Sequence, residues 1–211
     1  IRRRRGLPID PELLIYRASA YTKMEEFDIA LEELQRVERM DHLSQRERQL
    51  CLMQLGIVYG EMKMTEKSLQ YYDACIALDP DHAGVYFSRG LMHRYVGNLD
   101  SSIQDITRAI ELKGNNFDPV YHFERGLSYL QSGDTQRAIK DFDTAITLEH
   151  QFVEAYSQRA NAYIQEERYR EALLDLDKVI ELDEADTWAL VRRAEVFIAL
   201  GQIDEGFDSL N

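Results

Sequence analysis

The sequence predicts an all-α protein built as a linear array of helical hairpins, and three observations lead there. A small residue recurs at Ala18, Gly56, Gly90, Gly126, Ala160 and Ala194, in steps of 38, 34, 36, 34 and 34 residues. A period of that length marks a repeat protein, whose units stack on their neighbours. Within each period the apolar residues fall at i, i+3, i+4 and i+7, the spacing of one helix face. A short break such as Gly97-Asn98 then separates two such stripes, because glycine takes the left-handed conformation that ends a helix.

The elements follow in order. Residues 1–10 form a basic lead, and the first unit covers about residues 11–48. It opens at Asp10-Pro11, an N-cap with proline in the first turn. Its stripes are Leu14, Ala18 and Tyr21, then Phe27, Ala30, Leu34 and Val37. The second unit, 49–82, has Leu52, Leu55, Gly56 and Tyr59, then Tyr72, Cys75, Leu78 and a terminal Pro80. The third, 83–118, carries Tyr86, Arg89, Gly90 and His93 before its break and Ser102, Ile103, Ile106, Ala109 and Ile110 after it. Asp118-Pro119 opens the fourth, 119–152, with Gly126, Tyr129, Gly133, Ala138, Phe142, Ala145 and Leu148. The fifth, 153–186, has Tyr156, Ala160, Tyr163, Ala172, Leu176, Val179 and Leu182. The sixth, 187–211, begins Leu190, Ala194, Phe197 and Gly201 and reaches Asn211 inside its second helix, as expected of an excerpt. Extra residues fall around Asp41–Arg48 and around Gly114–Asp118.

Small residues at the eighth and twentieth positions of each unit (Gly90, Gly126, Ala138, Ala160, Ala172) let the two backbones approach closely. Larger residues at positions four, eleven and twenty-four fill the surrounding space. This frame resembles the tetratricopeptide repeat, and the resemblance covers about residues 11–211. It implies a right-handed superhelical solenoid of helix-turn-helix hairpins, forming one extended domain. It also implies a non-catalytic scaffold or adaptor that binds a peptide or helix in a concave groove. Two other roles are compatible with the same fold: a regulatory module of a larger enzyme, and a structural element of a large assembly that meets its neighbours by the convex face. The Thr-Pro-Leu-His of an ankyrin array is absent, and the acidic composition argues against an RNA-binding pentatricopeptide array.

The formal net charge is −13 even though Arg2 to Arg5 supply four cations. Such a surface repels nucleic acid and anionic lipid and favours basic or amphipathic protein partners. The arginine run reads as a solvated linker, with a nuclear address or an electrostatic anchor as the alternatives; the expected location is otherwise cytoplasmic. No segment approaches 18 uncharged apolar residues, so no membrane span is expected. Cys51 and Cys75 lie at core or near-core positions of unit two and read as buried free thiols, with a disulfide across the hairpin as the lesser alternative. No phosphate loop, CxxC, HExxH or GxSxG occurs, and no cofactor, metal or catalytic residue is expected. His93 and His122, at positions eleven and four of neighbouring units, read as packing groups, since a metal site of two histidines alone would be unusual.

One charged constellation recurs. Arg17, Arg89, Arg125, Arg159 and Arg193 occupy position seven, and Glu33, Asp105, Asp141 and Asp175 occupy position twenty-three. Unit two has Leu55 and Tyr71 instead, losing both members together. Arg89–Asp105, Arg125–Asp141 and Arg159–Asp175 are therefore expected to be structural ion pairs, each arginine meeting a carboxylate of its own or the adjoining unit. In the resembling family the groove-facing positions are 2, 5, 9, 12 and 13. Carried over, they give Met53 and Ile57, then Phe87, Leu91 and Tyr95, then Phe123, Leu127 and Leu130, with Ser157, Asn161 and Ile164 beyond. Asn161 is the expected donor and acceptor toward a peptide backbone. The other reading of Phe87 and Phe123 is that they pack between neighbouring helices. The carboxylate clamp of members that hold heat-shock chaperone tails is missing, because its Lys, Asn and Arg slots read Phe87, Leu91, Glu124, Glu154 and Gln158.

Overall fold

A computed structural model of the chain describes residues 10–114 and 118–209. The Arg2–Arg5 run lies outside the described residues. Among those described there are twelve α-helices and no strand, grouped in two compact units that divide between Gly97 and Asn98. The first unit contains α1 (Pro11–Lys23), α2 (Phe27–Glu38), α3 (Gln45–Glu61), α4 (Thr65–Leu78) and α5 (Ala83–Tyr95). The second contains α6 (Leu99–Lys113), α7 (Pro119–Gln131), α8 (Thr135–Leu148), α9 (Val153–Gln165), α10 (Tyr169–Leu182), α11 (Thr187–Ala199) and α12 (Ile203–Asp208). None of these helices is long and apolar enough to cross a membrane.

Local chemistry explains where the helices start. The Asp10 and Asp118 carboxylates accept from the Glu12 and Val120 amides, each capping a helix whose first residue is proline. Ser44 and Glu47 form a reciprocal capping box, so the extra residues between units one and two lengthen α3 to 17 residues, against 13 for α1. The turn within each hairpin uses one left-handed residue: Glu25, Lys63, Gly97, Gly133, Glu167 or Gly201. These six are the fifteenth residue of successive units. Where the residue is Glu or Lys, its Cβ strains the turn by about 1–2 kcal/mol.

In the first unit α1–α2 and α3–α4 pair as hairpins, and α3 packs on both α1 and α2 while α5 packs on α4. Its main core joins Leu14, Ala18, Leu34, Val37, Leu55 and Val58. In the second unit α7–α8, α9–α10 and α11–α12 pair, and α8–α9 and α10–α11 make the seams. A buried Ser102–Ser128 hydroxyl contact of 2.9 Å joins α6 to α7.

The pairing rests on matched volumes. Gly126 faces Phe142, and a Cβ there would stand 2.7 Å from Cε1 of that fully buried ring. Gly56 faces Tyr72 in the same way, at 2.6 Å. Where the eighth position is Ala18 or Ala160, the twenty-fourth is the smaller Leu34 or Leu176, and all four are fully buried. In these four repeats a methyl group on one helix is traded against ring volume on the other, whereas the third carries Gly90 with Ile106. Gly126→Ala is expected to cost about 1–3 kcal/mol by overpacking, and Phe142→Leu in that background to restore most of the loss. Urea unfolding of both single variants and the double variant tests this; simple additivity would refute the coupling.

Candidate functional site

In the first unit the leading helices of three successive repeats, α1, α3 and α5, place equivalent residues side by side. Ser19, Ile57 and Leu91 hold the ninth position, and Lys23, Glu61 and Tyr95 the thirteenth. A cavity of about 640 Å³ opens against α1 and α3. Its wall includes Lys23, Glu25, Glu61 and Lys63 as charged groups, Ser19, Thr22 and Gln54 as neutral polar groups, and Phe27 and Ile57 as apolar ones. A second cavity of about 280 Å³ opens against α3 and α5, among Ile57, Tyr72, Leu91, Met92 and Tyr95, with Ser88 as a polar neighbour. Ile57, Glu61 and Lys63 line both, so the two cavities share one wall.

The electrostatics of this trough are specific. The Lys63 ammonium lies 5.2 Å from the centre of the Tyr95 ring, a cation–π distance, while Tyr95 stays 60% exposed. Burial pushes the Tyr72 phenol up to about 12 against the pull of hydrogen bonds with Ser68 and Ser88, so it remains protonated. Behind the trough the two cysteines are free and buried, with thiols donating to Leu34 O and Gln49 O. Burial raises them to about 12 and about 11, which keeps them unreactive.

The structure brings Ile57, Leu91 and Tyr95 together around the smaller cavity. Met53, half-buried, packs with Ile57 against the Tyr72–Cys75–Val85 cluster. Phe87 is half-buried on α5. Phe123 is engaged inside its own unit, its ring centre 4.9 Å from Phe152 and 5.9 Å from Phe142. Leu127 and Leu130 on α7 and Asn161 on α9 are half-buried in the second unit. Sequence reasoning missed Glu25 and Lys63, which sit in turns, and the α1 residues Ser19, Thr22 and Lys23. The positional signal for the last group was available, since they occupy the ninth, twelfth and thirteenth positions of unit one.

The arginine ladder has a regular geometry. Arg125 donates Nε and Nη2 to the Asp141 carboxylate at 2.8 and 2.7 Å, while its Nη1 reaches Thr107 Oγ1 on α6 at 3.1 Å. Arg159 does the same, with Nε and Nη2 on Asp175 at 2.8 and 2.6 Å and Nη1 on Asp143 of the preceding hairpin at 2.6 Å. Each therefore clamps position twenty-three of its own hairpin and position twenty-five of the one before. Arg17 donates to Glu33 at 3.1 Å, Arg89 to Asp73 at 2.7 Å and Arg193 to Asp177 at 3.0 Å. Asp105 is buried on α6 and belongs to the other unit from Arg89. In the last repeat position twenty-three is Ser209, whose hydroxyl donates to Glu205 O, and Arg193 Nε has no hydrogen-bond partner among the described residues. Where unit two lacks the pair, Leu55 is buried, and Tyr71 stacks on Tyr59 with centres 5.4 Å apart.

Among the described residues no group of three or more His, Cys, Asp or Glu could hold a metal ion. The repeat frame is matched by tetratricopeptide repeat profiles over residues 51–82 and 83–116 and over 119–152 and 153–186. The chain belongs to the tetratricopeptide repeat family. This tetratricopeptide chain is 35% identical over 89 residues to the mitochondrial import receptor subunit TOM70 of Rattus norvegicus, covering 42% of this chain and 14% of that protein. It is 24% identical over 168 residues to tetratricopeptide repeat protein 16 of Homo sapiens, covering 74% of this chain and 19% of that protein. The chain thus spans less than a fifth of either curated relative. Its fold matches PilW, a type IV pilus biogenesis factor, with a TM-score of 0.81 at 14% identity, over 94% of this chain and 90% of that one. Members of this repeat family serve as scaffolds for protein interaction, and that coarse function extends to this chain.

Two predictions come from the ladder. Arg125→Ala removes both short bonds to a carboxylate that is 7% exposed, leaving it the longer 3.4 Å contact with His122, and is expected to cost about 3 kcal/mol. Arg193→Ala, whose Asp177 partner is 57% exposed, should cost about 1 kcal/mol or less in the same denaturant titration. Equal losses would refute the clamp. The second concerns pH. Burial pushes the Asp141 carboxyl up, but the Arg125 hydrogen bonds, His122 and their charges hold it below its ordinary value. Burial of Asp175 outweighs its grip by Arg159, and the nearby Asp143 charge adds to the upward push. A lowered carboxyl gives stability that is present above its unfolded pKa of about 4 and is lost as pH falls; a raised one has the opposite slope. Asp141→Asn should therefore flatten the stability loss between about pH 5 and 3, and Asp175→Asn should steepen it. Thermal unfolding across that range reads both slopes.

Proposed function

We propose that this chain is a non-catalytic interaction segment that holds an extended peptide of a protein partner in the trough along α1, α3 and α5. The observation that carries this is the pair of adjoining cavities, about 640 and 280 Å³, sharing Ile57, Glu61 and Lys63 as a common wall. A peptide lying across that wall places one side chain on either side of it. The lining is mixed: apolar walls bury contact area, while hydroxyl, amide and charged groups fix register. The shared scaffold role of the family supports the reading, as does a net charge of −13, which disfavours nucleic acid as the partner.

The test is capture of partners from native extract by the wild-type chain, by a Leu91→Ser/Tyr95→Glu variant and by Leu174→Glu. Leu174 is 71% exposed on α10, in the second unit. Partners of the trough are expected with wild type and Leu174→Glu and are lost from the double variant, with melting temperatures unchanged. Equal recovery by all three would remove the trough as the binding site.

A further inference from the structure

Resting on the trough reading above, we propose that its peptide carries a basic side chain in the larger cavity and, three residues away, an apolar side chain in the smaller. The larger cavity is lined by two carboxylates, Glu25 and Glu61, and neither has an ion-pair partner among the described residues. Of its two lysines, Lys63 directs its ammonium over Tyr95, which lines the smaller cavity and not the larger. Lys23 alone then faces two carboxylates, so the larger cavity favours a cation. Its neutral groups suit the same guest. Thr22 already donates its hydroxyl hydrogen to Ala18 O at 2.7 Å, so toward a ligand its oxygen only accepts. Phe27 and Ile57 offer apolar surface for the aliphatic stem of Arg or Lys, whose charged head stays at the polar end.

The smaller cavity also carries Glu61 and Lys63 on the shared wall, but its body is apolar. Ile57, Leu91, Met92 and the ring of protonated Tyr72 make its body, with room in about 280 Å³ for a Leu-, Met- or Phe-sized side chain. The spacing of the two guests follows from the helices. The cavities lie on either side of α3, and neighbouring helices pack about 8–10 Å apart. A peptide in the polyproline II conformation advances about 3.1 Å per residue and repeats every three, so side chains three apart lie on one face and span that distance.

The experiment is selection of a random short-peptide library on the full 211-residue chain, followed by fluorescence anisotropy with the enriched peptides. Enriched sequences are expected to share Arg or Lys and an apolar residue at a spacing of three. Glu25→Gln/Glu61→Gln should weaken them about tenfold, as should added salt, because the contact is charge-assisted and partly exposed. Enrichment of peptides lacking a basic residue, or equal affinity for the double Gln variant, overturns this assignment and leaves the trough reading standing. Peptides whose affinity ignores Leu91→Ser/Tyr95→Glu, or failure to enrich any peptide, overturns both.

Discussion

In the α3–α4 and α7–α8 hairpins a glycine on the leading helix meets the ring at the twenty-fourth position. What that pair leaves of the space between backbones sets how the rest can pack. Glycine admits the rings of Tyr72 and Phe142, whereas alanine admits only Leu34 and Leu176. Interiors tolerate substitution when total volume is kept, which is why the repeat can vary both residues and still hold one geometry. The recurrence of Ser19, Ile57 and Leu91 at the ninth position of successive leading helices presupposes that regularity.

A second constraint acts between hairpins. A guanidinium at position seven has donors to spare after meeting its own carboxylate in bidentate fashion, and Arg125 and Arg159 spend the remainder on the preceding hairpin. The clamp thus couples closure within a hairpin to its seating on the previous one. It also absorbs acidic charge that would otherwise add to the self-repulsion of a chain at −13. Unit two achieves the same end without charge: Leu55 joins the apolar core and Tyr71 stacks on Tyr59. That exchange agrees with the general finding that a buried ion pair and a well-packed apolar group are close in net stability.

The hairpins were legible in the sequence because small, large and aromatic residues recur in register through six units, so weak single signals add. The position-seven arginines and position-twenty-three acids were legible for the same reason, helped by their joint loss at Leu55 and Tyr71. The second half of each clamp was not, because its acceptors Asp73, Thr107, Asp143 and Asp177 mix residue types. The trough was partly legible. Ile57, Leu91 and Tyr95 could be placed by position on a helix face. The engagement of Phe123 with Phe142 and Phe152 depends on ring orientations across two helices and the N-cap of a third, which no periodicity encodes. Glu25 and Lys63 escaped notice because turns break the period that makes helices readable.

Those turn residues have a further consequence. Glycine satisfies the left-handed hinge at Gly97, Gly133 and Gly201, whereas Glu25, Lys63 and Glu167 hold the same backbone with a side chain attached. Two of these three charged hinges stand on the rim of the larger cavity. The wall of that cavity and the conformational robustness of its turns are therefore set by the same residues, and neither can be adjusted without moving the other. Glu167 lines neither cavity, so that hinge can be made sturdier without altering their walls.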